Sequence, residues 1–275
     1  MPEGPEIRRT ADRLGRVLKG RQIDSVWLAF ESLRPFEQSL IGRTVVSVDS
    51  WGKALLIRFD DESVLYSHNQ LYGVWRIMRR ERHPTTRRSP RVRLTTSSHS
   101  AWLFSASDVS LWSVGTLDQH PFLSRLGPDP LTHTVTEQDV VDRLEALHFA
   151  RRRLGSLLLD QGFLAGVGNY LRSEILFFSA LAPEWRPCDL SVEQRQGLAA
   201  WTLTLIQRAY RLAGVTNDAQ WRQPLIDQGW PRCRWRHAVF NREQAPCFAC
   251  GTPIVRQSVA SRRLYRCPSC QPVPT

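Results

Sequence analysis

The chain has 275 residues, which is long enough for two domains that each bury a hydrophobic core. It holds 37 Lys and Arg residues against 26 Asp and Glu residues, so its formal net charge is +11 and its pI is near 10.1. This excess indicates a polyanionic partner, with nucleic acid as the first candidate and an anionic membrane surface as the second. The sequence contains neither an apolar run as long as a membrane span nor a secretory signal, so we expect a cytoplasmic protein that does not bind membranes.

The first seven residues, Met1-Pro2-Glu3-Gly4-Pro5-Glu6-Ile7, could place an amine and two carboxylates at the terminus. If Met1 is removed, the ring nitrogen of Pro2 becomes a secondary amine, and a terminal amine is neutral near pH 7.5 far more often than a lysine. Attack of this amine on a sugar C1′ would give an iminium, with Glu3 and Glu6 as proton donor and acceptor. The structural alternative is that Pro2 only permits removal of Met1 and that the glutamates complement the dipole of a helix.

Patterning along the chain predicts a β-rich half followed by a helical half. Apolar residues at helical spacing predict a helix over 6–19. Seven short β-rich runs then favour an all-β sandwich or barrel. These runs are 23–30, 44–48, 54–59, 63–66, 74–78, 92–95 and 102–105. Residues 79–93 hold seven arginines and two prolines, which is typical of an exposed basic loop.

The stretch 121–131 is dense in breakers and marks the predicted domain boundary. Beyond it, helical spacing and polar caps predict four helices. They cover 136–148, 152–161, 169–179 and 192–212. Residues 214–236 have little periodicity, so their structure stays open.

Four cysteines near the end of the chain have the spacing of a zinc ribbon. Cys247-x2-Cys250 and Cys267-x2-Cys270 are two CxxC pairs separated by 16 residues. Four thiolates can close the coordination of one zinc ion and fold a segment too short for its own core. A redox dithiol pair and iron–sulfur ligation are the alternatives. We expect Cys188 and Cys233, outside this pattern, to be free thiols.

Three further stretches combine residue types that suit DNA contacts. Gln161 to Tyr170 is a glycine-rich turn that opens a helix, where backbone amides can approach an anion. Lys53 follows Gly52 at a strand start and could reach a phosphate or protonate a leaving group. Leu71 and Tyr72 are expected at an exposed loop tip, and apolar side chains of this kind can enter duplex DNA as wedges.

The N-terminal heptapeptide resembles that of the formamidopyrimidine-DNA glycosylase and endonuclease VIII family, and in particular of its endonuclease VIII branch. The resemblance extends over essentially the whole chain, with five separated motifs in the expected order. It implies that Pro2 is the nucleophile, that Glu3 is the catalytic acid/base and that Glu6 supports it. It also assigns the catalytic lysine to Lys53, although Trp51 stands at a position that is often basic in relatives.

The same resemblance implies a set of DNA contacts in both halves of the chain. The triad Gln70, Leu71 and Tyr72 matches the void-filling residues of endonuclease VIII, which favours oxidised pyrimidines as substrates. In the second half, the resemblance implies phosphate contacts for Asn169 and for a finger arginine, Arg262 or its neighbour Arg263. It also implies that Glu174 lines the DNA-binding site.

Together these expectations describe an α+β protein of two domains. A β-sandwich with flanking helices would span 1–125, a helix–two-turn–helix bundle 126–236 and a zinc-ribbon finger 237–275. The predicted function is a bifunctional DNA glycosylase and AP lyase of base excision repair that removes oxidised pyrimidines and cuts by β and δ elimination. The alternatives are a glycosylase for oxidised purines and a non-catalytic DNA-binding protein.

The expected partner is damaged double-stranded DNA, and the expected cofactor is one structural zinc ion, with no organic cofactor. We expect a monomer that is associated with the nucleoid.

Overall fold

A computed structural model describes residues 2–274, so Met1, on whose removal the role of Pro2 depends, lies outside the described residues. The chain divides into two compact units, and the division falls between Arg125 and Leu126, inside the breaker-rich stretch. The second unit contains both the helical part and the finger. The separate domains predicted for 126–236 and 237–275 stay a prediction.

The first unit begins with helix α1 (Gly4–Leu18), which confirms the helix predicted from the spacing of apolar residues. Its buried side chains include Ile7, Ala11, Leu14 and Leu18, which lie on one face and are each at most 1% exposed. This face packs into the hydrophobic core of the unit, chiefly against the strand that starts at Val45. The core therefore fixes the N-terminal end of the helix, where Glu3 is the N-cap residue.

Eight β-strands form two four-stranded antiparallel sheets, which confirms the predicted sandwich. The strands are β1 (Ser25–Leu28), β2 (Val45–Trp51), β3 (Ala54–Phe59), β4 (Ser63–His68), β5 (Val74–Arg79), β6 (Pro90–Thr95), β7 (His99–Phe104) and β8 (Asp108–Ser113). One sheet has the order β1-β6-β7-β5 and the other β2-β3-β4-β8. Seven of these strands match the predicted runs. The eighth, β8, was missed because it is a half-buried edge strand with no clear alternation.

Short helical segments flank the sandwich. Helix α2 (Glu37–Leu40) follows a 3₁₀ turn at Arg34–Phe36, and two more 3₁₀ turns cover Val114–Gln119 and Leu123–Arg125. His120 lies between these last two turns and is buried against the sheet, with its ring 4.0 Å from that of Tyr66. The segment before the boundary is therefore anchored on the outer face of β4.

The second unit contains seven helices among its described residues, followed by a β-hairpin. The helices are α3 (Glu137–Glu145), α4 (Leu147–Ala150), α5 (Leu154–Leu157), α6 (Asn169–Phe178), α7 (Val192–Arg211), α8 (Ala219–Asp227) and α9 (Arg232–Trp235). The hairpin pairs β9 (Val255–Val259) with β10 (Arg262–Arg266). Capping boxes at Thr136 and Ser191 fix the starts of α3 and α7.

In two segments of this unit, 152–161 and 214–236, the structure differs from the prediction or supplies what the sequence left open. The helix predicted over 152–161 is wrong for most of its length, because only Leu154–Leu157 are helical. Gly155 packs so closely on Pro183 that an added Cβ would lie 2.7 Å from its side chain, and the residues after Leu157 form turns. Residues 214–236, left open from the sequence, form α8 and α9, with Asp218 capping the start of α8.

Over residues 2–274, none of the helices combines the length and apolar character needed to cross a membrane.

Candidate active site

The candidate nucleophile and its carboxylates lie at the start of α1. Glu3 is only 3% exposed, and its backbone carbonyl accepts hydrogen bonds from the N–H groups of Glu6 and Ile7. The Glu6 carboxylate accepts a hydrogen bond from the Glu3 N–H at 2.9 Å. Glu6 therefore holds the backbone of Glu3 in place, and Pro2, half-buried, immediately precedes this fixed residue.

Lys53 lies in the tight turn between β2 and β3, where Trp51 pairs with Ala54. Gly52 has a positive φ of 58°, a conformation that favours glycine and that allows this two-residue turn. Burial lowers the pKa of the nearby His68 imidazole; Asp108 raises that pKa and Lys53 lowers it. The ammonium group of Lys53 is therefore close enough to His68 to interact with it electrostatically.

The loop that joins β4 to β5, residues 69–73, is called the wedge loop below. Leu71 and Tyr72 are 57% and 69% exposed at its tip. The His68 Nδ1 accepts a hydrogen bond from the Gln70 N–H at 3.2 Å, and the Gln70 side-chain oxygen accepts one from the Ser107 hydroxyl at 2.6 Å. The loop is thus held at its base while its apolar tip faces solvent.

Backbone contacts close the wedge loop. The Gly73 N–H donates to the Asn69 carbonyl at 2.7 Å, and an added Cβ at Gly73 would lie 2.6 Å from the Asn69 backbone. The Arg88 guanidinium donates to the Tyr72 carbonyl at 2.5 Å. Only glycine fits at position 73, and Arg88 of the basic loop holds the backbone of the loop tip.

In the second unit, Asn169 is the first residue of α6 and follows a turn that side chains close. The Gln161 amide donates to the carbonyls of Leu159 and Val167, each at 2.9 Å, and its oxygen accepts from the Gly166 N–H at 3.1 Å. These bonds fix the turn that presents Asn169 at a helix N-terminus. Backbone N–H groups at such a terminus suit an anion such as phosphate.

Arg262 and Arg263 begin β10 and are exposed, beside a tight turn in which Ala260 and Ser261 have positive φ. A residue that the sequence reasoning missed holds this hairpin. Arg172 in α6 is completely buried, and its guanidinium donates to the carbonyls of Val259 at 3.2 Å and Arg263 at 3.0 Å. The signal in the sequence is an arginine three residues after Asn169, in a predicted helix whose second half is apolar.

Glu174 requires a correction. It has no exposed surface, and its carboxylate accepts hydrogen bonds from the Thr216 hydroxyl and from the N–H groups of Ala238, Val239 and Phe240, all at 2.7–2.8 Å. The expectation that Glu174 lines the DNA-binding site is wrong for this conformation, because an enclosed carboxylate cannot touch a DNA strand. Its contacts instead tie α6 to Thr216 and to residues 238–240, at the start of the predicted finger.

The side chains of Cys247, Cys250, Cys267 and Cys270 form one cluster whose sulfur atoms all lie within 4.8 Å of one another. The Sγ–Sγ distance is 3.9 Å for Cys247 and Cys270 and 3.4 Å for Cys250 and Cys267. Zinc–sulfur bonds of about 2.3 Å in a tetrahedron require sulfur atoms about 3.8 Å apart, which these distances approach. The four cysteines therefore form a candidate metal site.

Side chains outside the cysteine cluster support it. Cys247 and Cys267 are buried in a small core with Phe177, Ile254 and Tyr265, so the candidate metal site is packed on the end of α6. Cys188 and Cys233 are exposed and are not members of the cluster.

Comparison with known proteins identifies the family to which both units belong. Residues 1–107 match the model of the formamidopyrimidine-DNA glycosylase N-terminal domain, and residues 126–220 match its H2TH domain. The chain is 43% identical to "Endonuclease 8" of Pectobacterium atrosepticum and 44% identical to "Endonuclease 8" of Enterobacter sp. strain 638. Each alignment covers 98% of this chain and 100% of the relative.

Solved structures share the fold at lower identity. A complex of Lactococcus lactis Fpg (MutM) with DNA containing N7-benzyl-Fapy-dG has a TM-score of 0.81 and 20% identity, covering 98% of this chain and 100% of that one. A complex of the same protein with DNA containing an oxidized pyrimidine also has a TM-score of 0.81, with 21% identity and the same coverage. The two domain matches and the full-length relatives show that this chain belongs to the formamidopyrimidine-DNA glycosylase family.

Proposed function

We propose that this chain, a DNA glycosylase with AP lyase activity in base excision repair, removes oxidised pyrimidines from double-stranded DNA. The observation that carries the proposal is its full-length similarity, at 42–44% identity, to proteins named endonuclease 8. The exposed Gln70, Leu71 and Tyr72 of the wedge loop support the pyrimidine specificity, since they match the void-filling triad of that branch. The expected monomeric state stays a prediction.

Pro2 is the proposed nucleophile once Met1 has been removed. The lone pair of its nitrogen forms a bond to C1′ of the damaged nucleotide while the bond from C1′ to the base breaks, and the base leaves with a proton. Opening of the sugar ring at C1′ leaves an iminium between Pro2 and C1′. Loss of a C2′ proton then expels the 3′ phosphate in β elimination, and a further proton loss expels the 5′ phosphate in δ elimination.

Glu3 moves protons at the sugar during these steps. Its position supports this role, because its backbone begins α1 and the Glu6 carboxylate holds its N–H. Because the start of the helix is fixed, the buried carboxylate is held at a constant distance from the reacting atoms, as general acid–base catalysis requires. Lys53 assists from the turn between β2 and β3, where its positive charge suits a phosphate or a leaving group.

DNA is held by contacts from both units. Leu71 and Tyr72 fill the space that the extruded nucleotide leaves, which offsets an unstacking cost of about a few kcal/mol. The N-terminus of α6 at Asn169 and the guanidinium of Arg262 bind phosphates, with Arg263 as the alternative. Glu174 contributes to DNA binding only indirectly, by anchoring residues 238–240.

The four cysteines would hold one structural zinc ion. A site with four protein thiolates has no open coordination position, so the metal would stabilise the hairpin that carries Arg262 and would not act on the substrate. The chemistry of the reaction then depends on the amine and the carboxylates of the first unit.

Borohydride trapping on a duplex with one thymine glycol tests the proposed function. We expect a covalent adduct that peptide mapping places on Pro2, because borohydride reduces the iminium to a stable amine. A parallel duplex with 8-oxoguanine should give less adduct. The reverse ranking would favour a purine glycosylase. Absence of adduct from protein that has lost Met1 and binds the duplex would favour a non-catalytic DNA-binding protein.

Replacing Glu3 with Gln should lower base release by at least about 100-fold, because the amide cannot donate or accept the proton in the same way. Binding to an abasic-analogue duplex should stay within about 1 kcal/mol of the wild type, since Gln keeps the shape of the side chain. Glu137→Gln, which removes a carboxylate from the first turn of α3, is the matched control and should release base normally. A large loss of binding in Glu3→Gln would show that Glu3 is structural.

Arg262→Ala should weaken DNA binding and make the dependence of log K on log salt shallower by roughly one unit, the loss of one phosphate contact. The hairpin should keep its structure, because Arg172 holds backbone carbonyls and not this side chain. Arg256→Ala, in the neighbouring strand β9 and paired with Glu243 at 3.3 Å, is the matched control. If Arg262→Ala leaves the slope unchanged and Arg263→Ala reduces it, the phosphate contact belongs to Arg263.

Removal of the proposed zinc ion by a chelator should increase hydrogen exchange in residues 247–270 first and weaken DNA binding. Metal binding supplies folding free energy to such short segments. The sandwich should keep its exchange protection, because its core is separate. The double variant Cys188→Ser, Cys233→Ser should retain one bound zinc ion per chain. Full activity of demonstrably zinc-free protein would contradict the role of the finger.

A further inference from the structure

The outer face of the sheet β1-β6-β7-β5 carries a row of alternating tryptophans and arginines. The strand register places Trp27 opposite Arg93, Arg93 opposite Trp102, and Trp102 opposite Arg76, so one row crosses all four strands. We call these four residues the Trp-Arg row. The adjacent positions on each strand point inward and form the core of the sandwich. They include Val26, Leu28, Trp75, Val92, Leu94, Ala101 and Leu103.

Aromatic and guanidinium planes are in contact along this face. The Arg93 guanidinium carbon lies 5.4 Å from the centre of the Trp102 ring, and the Arg76 guanidinium carbon lies 5.9 Å from that of Phe104. The rings of Trp102 and Phe104 are nearly parallel, with 9° between their planes and centroids 5.9 Å apart. Trp27, at the edge strand, is 36% exposed. The face therefore offers stacked planes with one tryptophan open to solvent.

The arginines of this face are not neutralised within the part of the chain that the structure describes. Arg76, Arg91 and Arg93 form no ion pair there, and each of them is partly exposed. The carboxylates of Asp24 and Glu81 near this sheet both pair with Arg80. Their positive charges are therefore available to the anionic oxygens of a partner.

We propose that the Trp-Arg row binds single-stranded DNA, with an unpaired base stacked on Trp27 and phosphates held by Arg76 and Arg93. Aromatic planes interleaved with arginines on an open sheet match what unpaired bases and their backbone require. A duplex hides the faces of its bases, and an anionic lipid surface has no planar group to stack. This binding goes beyond the proposed function and needs no chemistry at Pro2.

The row lies in the same unit as the wedge loop and is connected to it. Strand β5, which carries Arg76, begins directly after the wedge loop, and Arg88, in the basic loop 80–89 between β5 and β6, donates a hydrogen bond to the Tyr72 carbonyl. Arginines of that loop extend the positive charge away from the row. Single-stranded DNA that extends from a repair site can therefore bind along these arginines of the first unit.

The test uses the full-length protein saturated with an unlabelled abasic-analogue duplex, so that the proposed glycosylase site is occupied. Fluorescence anisotropy then measures binding of a labelled oligothymidine of about 12 nucleotides, a length that one such surface can cover. We expect the oligothymidine to bind the saturated protein. Failure to bind would overturn the proposal and would leave the glycosylase unaffected.

Variants locate the site. Trp27→Ala should weaken oligothymidine binding about 5-fold to 100-fold, the loss of one stacked base, and Trp27→Phe should restore most of it. Arg76→Gln with Arg93→Gln should reduce the salt slope by about 1.4 units. The control Arg21→Gln with Arg58→Gln removes the same charge from exposed positions of the same unit. Equal losses in this control, or no loss in Trp27→Ala, would overturn the proposal.

Base release from a short thymine glycol duplex separates the two hypotheses. Trp27→Ala should keep wild-type activity on this substrate, because Trp27 is not part of the proposed catalytic machinery. Loss of oligothymidine binding with full base release supports a second DNA site. Loss of both in a variant with wild-type thermal stability would assign Trp27 to the glycosylase site instead, which contradicts the proposal.

Discussion

Two buried charges of opposite sign on α6 hold the second unit together. Arg172 and Glu174 have no exposed surface, and burying an unpaired charge costs several kcal/mol. Each charge is stabilised by backbone groups from a different segment: Arg172 binds carbonyls near the hairpin tip, and Glu174 binds three consecutive N–H groups at 238–240, well before the hairpin. Residues two apart point to different faces of a helix, so a single turn of α6 fixes both segments.

The four hydrogen-bond donors around Glu174 favour its ionised form. The Arg236 Nε–H donates to Nε2 of His237, so the proton of this imidazole lies on Nδ1 and is donated to the Thr216 hydroxyl at 2.8 Å. The hydroxyl proton of Thr216 is then left for Glu174. Burial raises the pKa of Glu174 above its ordinary value, and the hydrogen bonds from Thr216 and the three backbone donors oppose that rise. Burial, Arg236 and Arg232 lower the pKa of His237, which agrees with a neutral ring.

The sequence predicted those parts of the molecule that obey simple periodicities. Strand alternation, the apolar face of α1 and the cysteine spacing each follow from local patterns. Strand β8 was missed because an edge strand that is half-buried on both faces shows no alternation. The burial of Glu174 could not be predicted, because its partners at Thr216 and Ala238–Phe240 lie 42 to 66 residues away and no local pattern encodes them. Chemistry carried by local motifs was therefore easier to predict than the contacts that position it.

The wedge loop shows how such positioning contacts can serve function. Gln70 has a φ of 48°, and this left-handed conformation costs about 1–2 kcal/mol for a residue with a Cβ. The hydrogen bonds of Gln70 to His68 and Ser107 contribute about 1 kcal/mol each, which is enough to offset that strain. The loop is therefore formed before DNA arrives. Entry of Leu71 and Tyr72 into a duplex then has to offset the unstacking of bases, without the further entropic cost of ordering the loop.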